Sequence, residues 1–120
     1  MATAYSPLIV TDGLVMYLDA GNTKSYPGAG TTWTDVSRNG NNGTLTNGPT
    51  FNSANGGSIV FDGADDYVNC GSGMSATGKI TVSTWVKFNT VSIFQHIVDS
   101  SSNTWHLAML GNIPYFWNGS

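Results

Sequence analysis

The 120-residue chain predicts an all-β fold, an antiparallel two-sheet β-sandwich, and three observations carry that prediction. First, only 9% of residues are charged, against about 25% in an average soluble domain, and every acid is an aspartate. The exposed faces are therefore polar without charge. Thr, Ser, Asn and Gly fill that role; they favour strands and turns, while strong helix formers such as Glu, Lys and Gln are scarce. Second, apolar residues alternate with a period of two in several short runs. Third, Gly, Pro and Asn dipeptides separate those runs at the close spacing of a sandwich, without the repeat of a propeller or solenoid. A chain of this length is expected to form one domain around one core.

The elements follow in order. Residues 1–11 read as an N-terminal arm and 12–120 as the domain. Over 13–20, Leu14, Met16 and Leu18 alternate with Val15, Tyr17 and Asp19, which predicts a first strand apolar on both faces. Residues 21–57 are rich in turn pairs, Pro27-Gly28, Asn39-Gly40, Asn42-Gly43, Asn47-Gly48 and Asn55-Gly56. Trp33, Val36, Leu45 and Phe51 anchor that stretch, so it reads as ordered loop with brief strands. Residues 58–70, SIVFDGADDYVNC, read as a β-hairpin in which Ile59 and Phe61 share a face and Asp62-Gly63 makes the turn. Residues 80–88 alternate over nine positions and predict a central core strand, with Trp85 packed inside. Residues 96–99 and 105–110 predict an antiparallel pair joined by a turn at 100–103, and 113–117 a further strand after Gly111-Asn112. Nothing resembles an amphipathic helix.

Composition excludes several functions. The net charge is −3, and Lys24, Arg38, Lys79 and Lys87 are scattered, so no basic stripe exists for nucleic acid. No run has the length and apolarity of a membrane span, and the first ten residues lack an export signal, so no membrane insertion is expected. Cys70 is alone, which rules out an intrachain disulfide and suits folding in a reducing cytoplasm. It reads as a small buried side chain rather than a nucleophile. Glycoside hydrolysis needs paired carboxylates, about 5 Å apart in retaining enzymes. The chain has no Glu, and the adjacent Asp65 and Asp66 would point apart on a strand. Neither His96 nor His106 stands near a nucleophile-elbow serine. No catalytic residue is assigned, and the chain reads as a non-enzyme. Both histidines read as structural, since two separate histidines and one cysteine lack zinc spacing.

The runs GLVMYLDAGN at 13–22, WTDVSRNGNNGTLTNGPTF at 33–51, SIVFDGADDYVNC at 58–70 and ITVSTWVKF at 80–88 stand in an order that resembles the laminin-G-like branch of concanavalin A-like jelly rolls. The stretch 11–51 is similar to laminin-G-like modules in structural proteins of tailed bacteriophages, especially those of marine hosts. This resemblance implies a jelly roll acting as a non-catalytic virion structural or decoration protein of head, neck, tail or fibre. Such a protein is assembled in the host cytoplasm, with other virion proteins and further copies of itself as partners, and host-surface glycans as candidate ligands. The chain departs from the family by stopping soon after the tryptophan strand and its hairpin, so the sandwich reads as clipped at its C-terminal end. Unpaired edges and the apolar Tyr115, Phe116 and Trp117 then call for a partner surface, and a homo-oligomer is expected. The alternative is a calcium-dependent carbohydrate-binding module of a bacterial surface or secreted protein, because a fold alone does not fix function.

Two sets of residues are candidates for a site. Sugars are held by aromatic faces and by Asn, Asp and Ser side chains. Tyr26, Trp33, Trp105, Asn41 and Asn42 are the glycan-binding candidates on that ground. Calcium takes carboxylates and loop carbonyls, which makes it the candidate cofactor, with Asp62, Asp65 and Asp66 as ligands and Asp99 with Asn103 as a second set. The resemblance also implies calcium at rim loops. The reading favoured by the residues themselves is that Asp62 and Asp66 cap their own turn by accepting backbone N–H groups.

Overall fold

The computed structural model describes residues 9–72, 78–91, 93–100 and 104–118. Most of the expected arm, the tip of the 100–103 turn and the candidate ligand Asn103 lie outside the described residues. The chain divides into two units, Met1–Ser75 and Ala76–Ser120. Regular structure among the described residues is all-β, eight strands in three antiparallel sheets, with one 3-10 turn at Ala54–Gly56.

In the N-terminal unit, β1 (Thr32–Trp33), β2 (Gly43–Thr46) and β5 (Tyr67–Asn69) form one sheet in the order β1-β2-β5. β3 (Thr50–Asn52) and β4 (Ser58–Val60) form a second ladder. These strands are short because turn formers bound them closely. Register is held by apolar cross-strand pairs, Leu45 opposite Val68 and Phe51 opposite Ile59, each worth about 0.2–1 kcal/mol over alanine pairs. Asn47 and Gly48 take the positive φ values, 70° and 112°, that turn β2 into β3. Leu45 and Tyr26 are buried, the Tyr26 ring lying 5.4 Å from that of Phe51.

Two expectations fail in this unit for physical reasons. Residues 58–70 do not form a hairpin, because β4 pairs with β3 and β5 pairs with β2. Asp66 Oδ2 accepts the Asp62 N–H at 2.9 Å and Asp62 Oδ1 accepts the Ala64 N–H at 2.8 Å, which closes a self-capped loop where a two-residue hairpin turn was expected. Residues 13–20 form no ladder among the described residues either. The Tyr17 N–H goes to the Asp35 carboxylate and the Asp19 N–H to Ser25 Oγ, so side chains take the place of a neighbouring strand.

In the C-terminal unit, β6 (Phe94–Asp99), β7 (His106–Leu110) and β8 (Ile113–Trp117) form a meander in the order β6-β7-β8, at the positions the alternation indicates. Gly111, at φ 60°, begins the two-residue turn between Leu110 and Ile113. Ser100 Oγ accepts the N–H groups of Thr104 and Trp105 at the other turn. A register shift between His96 and Val98 marks a β-bulge in β6. Trp105 and Ala108 are the buried apolar residues of this unit among those described.

Residues 80–88 are not a core strand. No ladder pairs them among the described residues, and Trp85 is 101% exposed, with Ile80 and Val86 also exposed. Alternation states which side chains share a face, but a strand forms only when its N–H and C=O groups find a neighbouring backbone.

Candidate functional site

A polar clasp centred on Asp35 organises the N-terminal unit. Asp35 is 6% exposed. Its Oδ1 accepts the N–H groups of Tyr17 and Ser37, and its Oδ2 accepts the Ser37 hydroxyl and the Asn41 N–H, all within 2.8–2.9 Å. The Asp35 N–H in turn donates to Asn42 Oδ1. The amides of Asn39 and Asn41 reach across to the carbonyls of Leu14 and Val15 at 2.7 and 2.8 Å. The local sequence Asp-x-Ser-x-Asn-x-Asn-Asn builds this clasp because short polar side chains bond readily to backbone groups. Burial alone would raise the Asp35 pKa, but the four donors outweigh it and hold the carboxyl below the usual carboxylate range. A carboxylate has about four lone-pair sites, and these four donors occupy them. Asp35 is thus a charged structural hub with no acceptor left for a metal or a proton-transfer step. Sequence reasoning missed it, although the run of short polar residues after Trp33 was the available signal.

The acidic loop gathers its three candidates. One carboxylate oxygen from each of Asp62, Asp65 and Asp66 lies within 4.8 Å of the others, with Asp62 and Asp65 exposed and Asp66 half-buried. The same groups cap the loop. The Ala64 N–H, with those of Asp65 and Asp66 behind it, keeps the Asp62 carboxyl below its ordinary pKa against a weaker opposing effect of desolvation. Asp99, of the second set, lies on β6 in the other unit.

The glycan candidates are dispersed. Tyr26 is 3% exposed and donates its hydroxyl to Gly30 O, and Trp105 is 7% exposed, so burial denies a sugar the face of either ring. Trp33 is half-buried, with its Nε1 buried and without a hydrogen-bond partner. Asn41 and Asn42 do meet, with Thr44, Asn69 and Cys70, along an open depression of about 360 Å³. Their amides are partly committed to the Asp35 clasp. Cys70 is half-buried, and burial, followed by the Asp35 charge, pushes its thiol pKa up. That is the reverse of what a nucleophile needs.

One face of the β6-β7-β8 sheet carries a contiguous apolar surface among the described residues. The register puts Phe94, Leu110 and Ile113 in one row, His96, Ala108 and Tyr115 in the next, and Asp99, His106 and Trp117 in the third. Phe94, Leu110, Ile113 and Tyr115 are 40%, 53%, 68% and 39% exposed. The rings form a connected set: Phe94 meets His96 edge-on at 4.8 Å, and His106 stacks on Trp117 at 5.2 Å. His96 and His106, separate in sequence, stand 4.9 Å apart between ring centroids. Sequence reasoning singled out Tyr115, Phe116 and Trp117 but not Phe94, Ile113 or the histidine pair, which only the register brings together.

Comparison with protein-family models, curated proteins and solved structures gives no match to this chain.

Proposed function

We propose that this chain is a non-catalytic structural module of a tailed-phage particle, a decoration-type component of concanavalin A-like, laminin-G-like jelly-roll character. It docks on neighbouring virion proteins or on further copies of itself through the open face of the β6-β7-β8 sheet. The observation that carries this reading is the continuous row of exposed apolar side chains, Phe94, Leu110 and Ile113, with Tyr115 beside it. Contiguous exposed apolar surface rimmed by polar residues marks interaction sites. Pro114 stands in β8, and proline fits a sheet only where its nitrogen faces away from the ladder, so the outer edge lacks a donor there. Strand addition is thereby weakened at the β8 edge, which leaves the side-chain face as the proposed docking surface. The particle setting draws on the resemblance of residues 11–51, and the amide-lined depression at Asn41, Asn42 and Asn69 is the candidate contact for host-surface glycans.

Sedimentation velocity of the purified chain over a wide concentration range tests the reading, alongside the face variant Ile113→Asp. The expected result is concentration-dependent association that the variant abolishes. A monomer at every concentration, or association indifferent to the variant, overturns self-docking through this face. The convergence of Asp62, Asp65 and Asp66 favours a second reading, a calcium-dependent carbohydrate-binding module. That reading expects glycan-array binding that is lost with chelator and in Asp65→Ala.

A further inference from the structure

We propose that the C-terminal sheet carries a divalent transition-metal site, with His96, Asp99 and His106 as ligands and Zn²⁺ as its occupant. Residues three apart on a regular strand point to opposite faces. The bulge between His96 and Val98 inserts one residue into β6, which reverses that parity and brings Asp99 to the face of His96. Asp99 then stands directly opposite His106 on β7. One donor atom from each of the three side chains lies within 4.8 Å of the other two.

The donor set selects the metal. Two imidazoles and a carboxylate form a three-ligand site with a fourth position open, an arrangement suited to Zn²⁺. Calcium and magnesium, which want oxygen ligands throughout, suit it poorly. Zinc bonds of 2.0–2.2 Å in a tetrahedron place donors about 3.4 Å apart, and His96 Nδ1 already lies 3.6 Å from Asp99 Oδ2. Those two side chains are 43% and 40% exposed, so they can rotate through the remaining distance. His106 is held more firmly, stacked on Trp117 and met edge-on by Phe94 at 5.7 Å. Its Nε2 is buried without a hydrogen-bond partner, an uncommon state for a polar atom and one that ligation through it removes. The rings of Phe94, Tyr115 and Trp117 pack around His106 and give the site an apolar wall on that side. The site stands or falls independently of the docking role of the same sheet.

Isothermal titration of the metal-free full chain with ZnCl₂ tests the proposal, with far-UV circular dichroism verifying that each variant keeps the wild-type fold. The expected result is one Zn²⁺ bound per chain. His96→Ala and Asp99→Asn, both at exposed positions, should each weaken binding by at least the 10–100-fold that loss of a supporting second-shell group costs. Asp62→Asn, in the other unit, should leave the affinity unchanged. Cobalt substituted for zinc should give visible absorption bands of a four-coordinate ion, absent in His96→Ala. No saturable binding, full affinity in both sheet variants, or loss of binding in Asp62→Asn overturns the assignment.

Discussion

Replacing Asp35 with alanine removes the acceptor for four hydrogen bonds at once. The Ser37 hydroxyl can re-aim at Val15 O, already 3.2 Å away, so three backbone donors are left stranded, those of Tyr17, Ser37 and Asn41. A buried donor without a partner costs about 1–3 kcal/mol. All three residues are half-buried, so water relieves part of the loss and the lower half of that range applies, about 3–6 kcal/mol in total. That is a large share of the roughly 5–15 kcal/mol that holds an ordinary domain together. Asp35→Asn keeps one acceptor oxygen but turns an NH₂ toward the Asn41 N–H, and should cost about half as much. Urea denaturation followed by far-UV circular dichroism gives the midpoint shift. The carboxyl pKa is lower in the folded chain than its unfolded value of about 3.9. Its contribution is therefore present above that pH and is lost as pH falls through the depressed folded value. Wild-type stability should fall with acid below about pH 4, and the Asn variant should lack that component. A cost under about 1 kcal/mol for Asp35→Ala, or an unchanged acid profile in Asp35→Asn, would refute the clasp as a stabilising centre.

Further outcomes follow from other positions. Trp85→Ser should leave stability within about 0.5 kcal/mol of wild type because the side chain is fully exposed; a loss of about 3–5 kcal/mol in the same urea titration would restore the core-strand expectation. Gly43→Ala should cost about 1–3 kcal/mol by overpacking, since a Cβ there would sit 2.6 Å from Val68 Cγ1, and Gly21→Ala should cost more because its Cβ would meet the backbone oxygen of Gly56. Thermal melts that place either variant at the wild-type midpoint would contradict that packing. The raised pKa of Cys70 leaves less thiolate near pH 8, so reaction with a disulfide reagent should be slower folded than in urea. Equal rates would mean that the thiol is not shielded.

What was legible in the sequence was local. Strands β6 to β8 appear where alternation and turn residues place them, because a period of two bounded by Gly111-Asn112 is a property of a few neighbouring residues. The separate partners of β4 and β5 were not legible. Asp62 and Asp66 look the same in sequence whether they turn a hairpin or cap a loop, and the choice is made by Phe51 and Leu45, which offer Ile59 and Val68 apolar partners. Residues 80–88 carry the cleanest alternation in the chain yet stand unladdered among the described residues, because pattern describes faces and not neighbours. The histidine pair was hidden for a related reason. A one-residue bulge decides whether His96 and Asp99 share a face, and no property of those two residues encodes it. Among the glycan candidates, Tyr26 and Trp105 were chosen for aromaticity, and the same apolar surface that would stack on a sugar drew them into the interior.

A docking module needs one face that its neighbours cover, and that requirement can be read residue by residue. Hydrogen–deuterium exchange of the purified chain, compared between dilute and concentrated solution, is the most direct measurement. Protection should rise with concentration in peptides spanning 94–99 and 106–117 and stay constant in residues 32–69. Protection that rises only in the N-terminal unit, or nowhere at all, would contradict the sheet face as the contact surface.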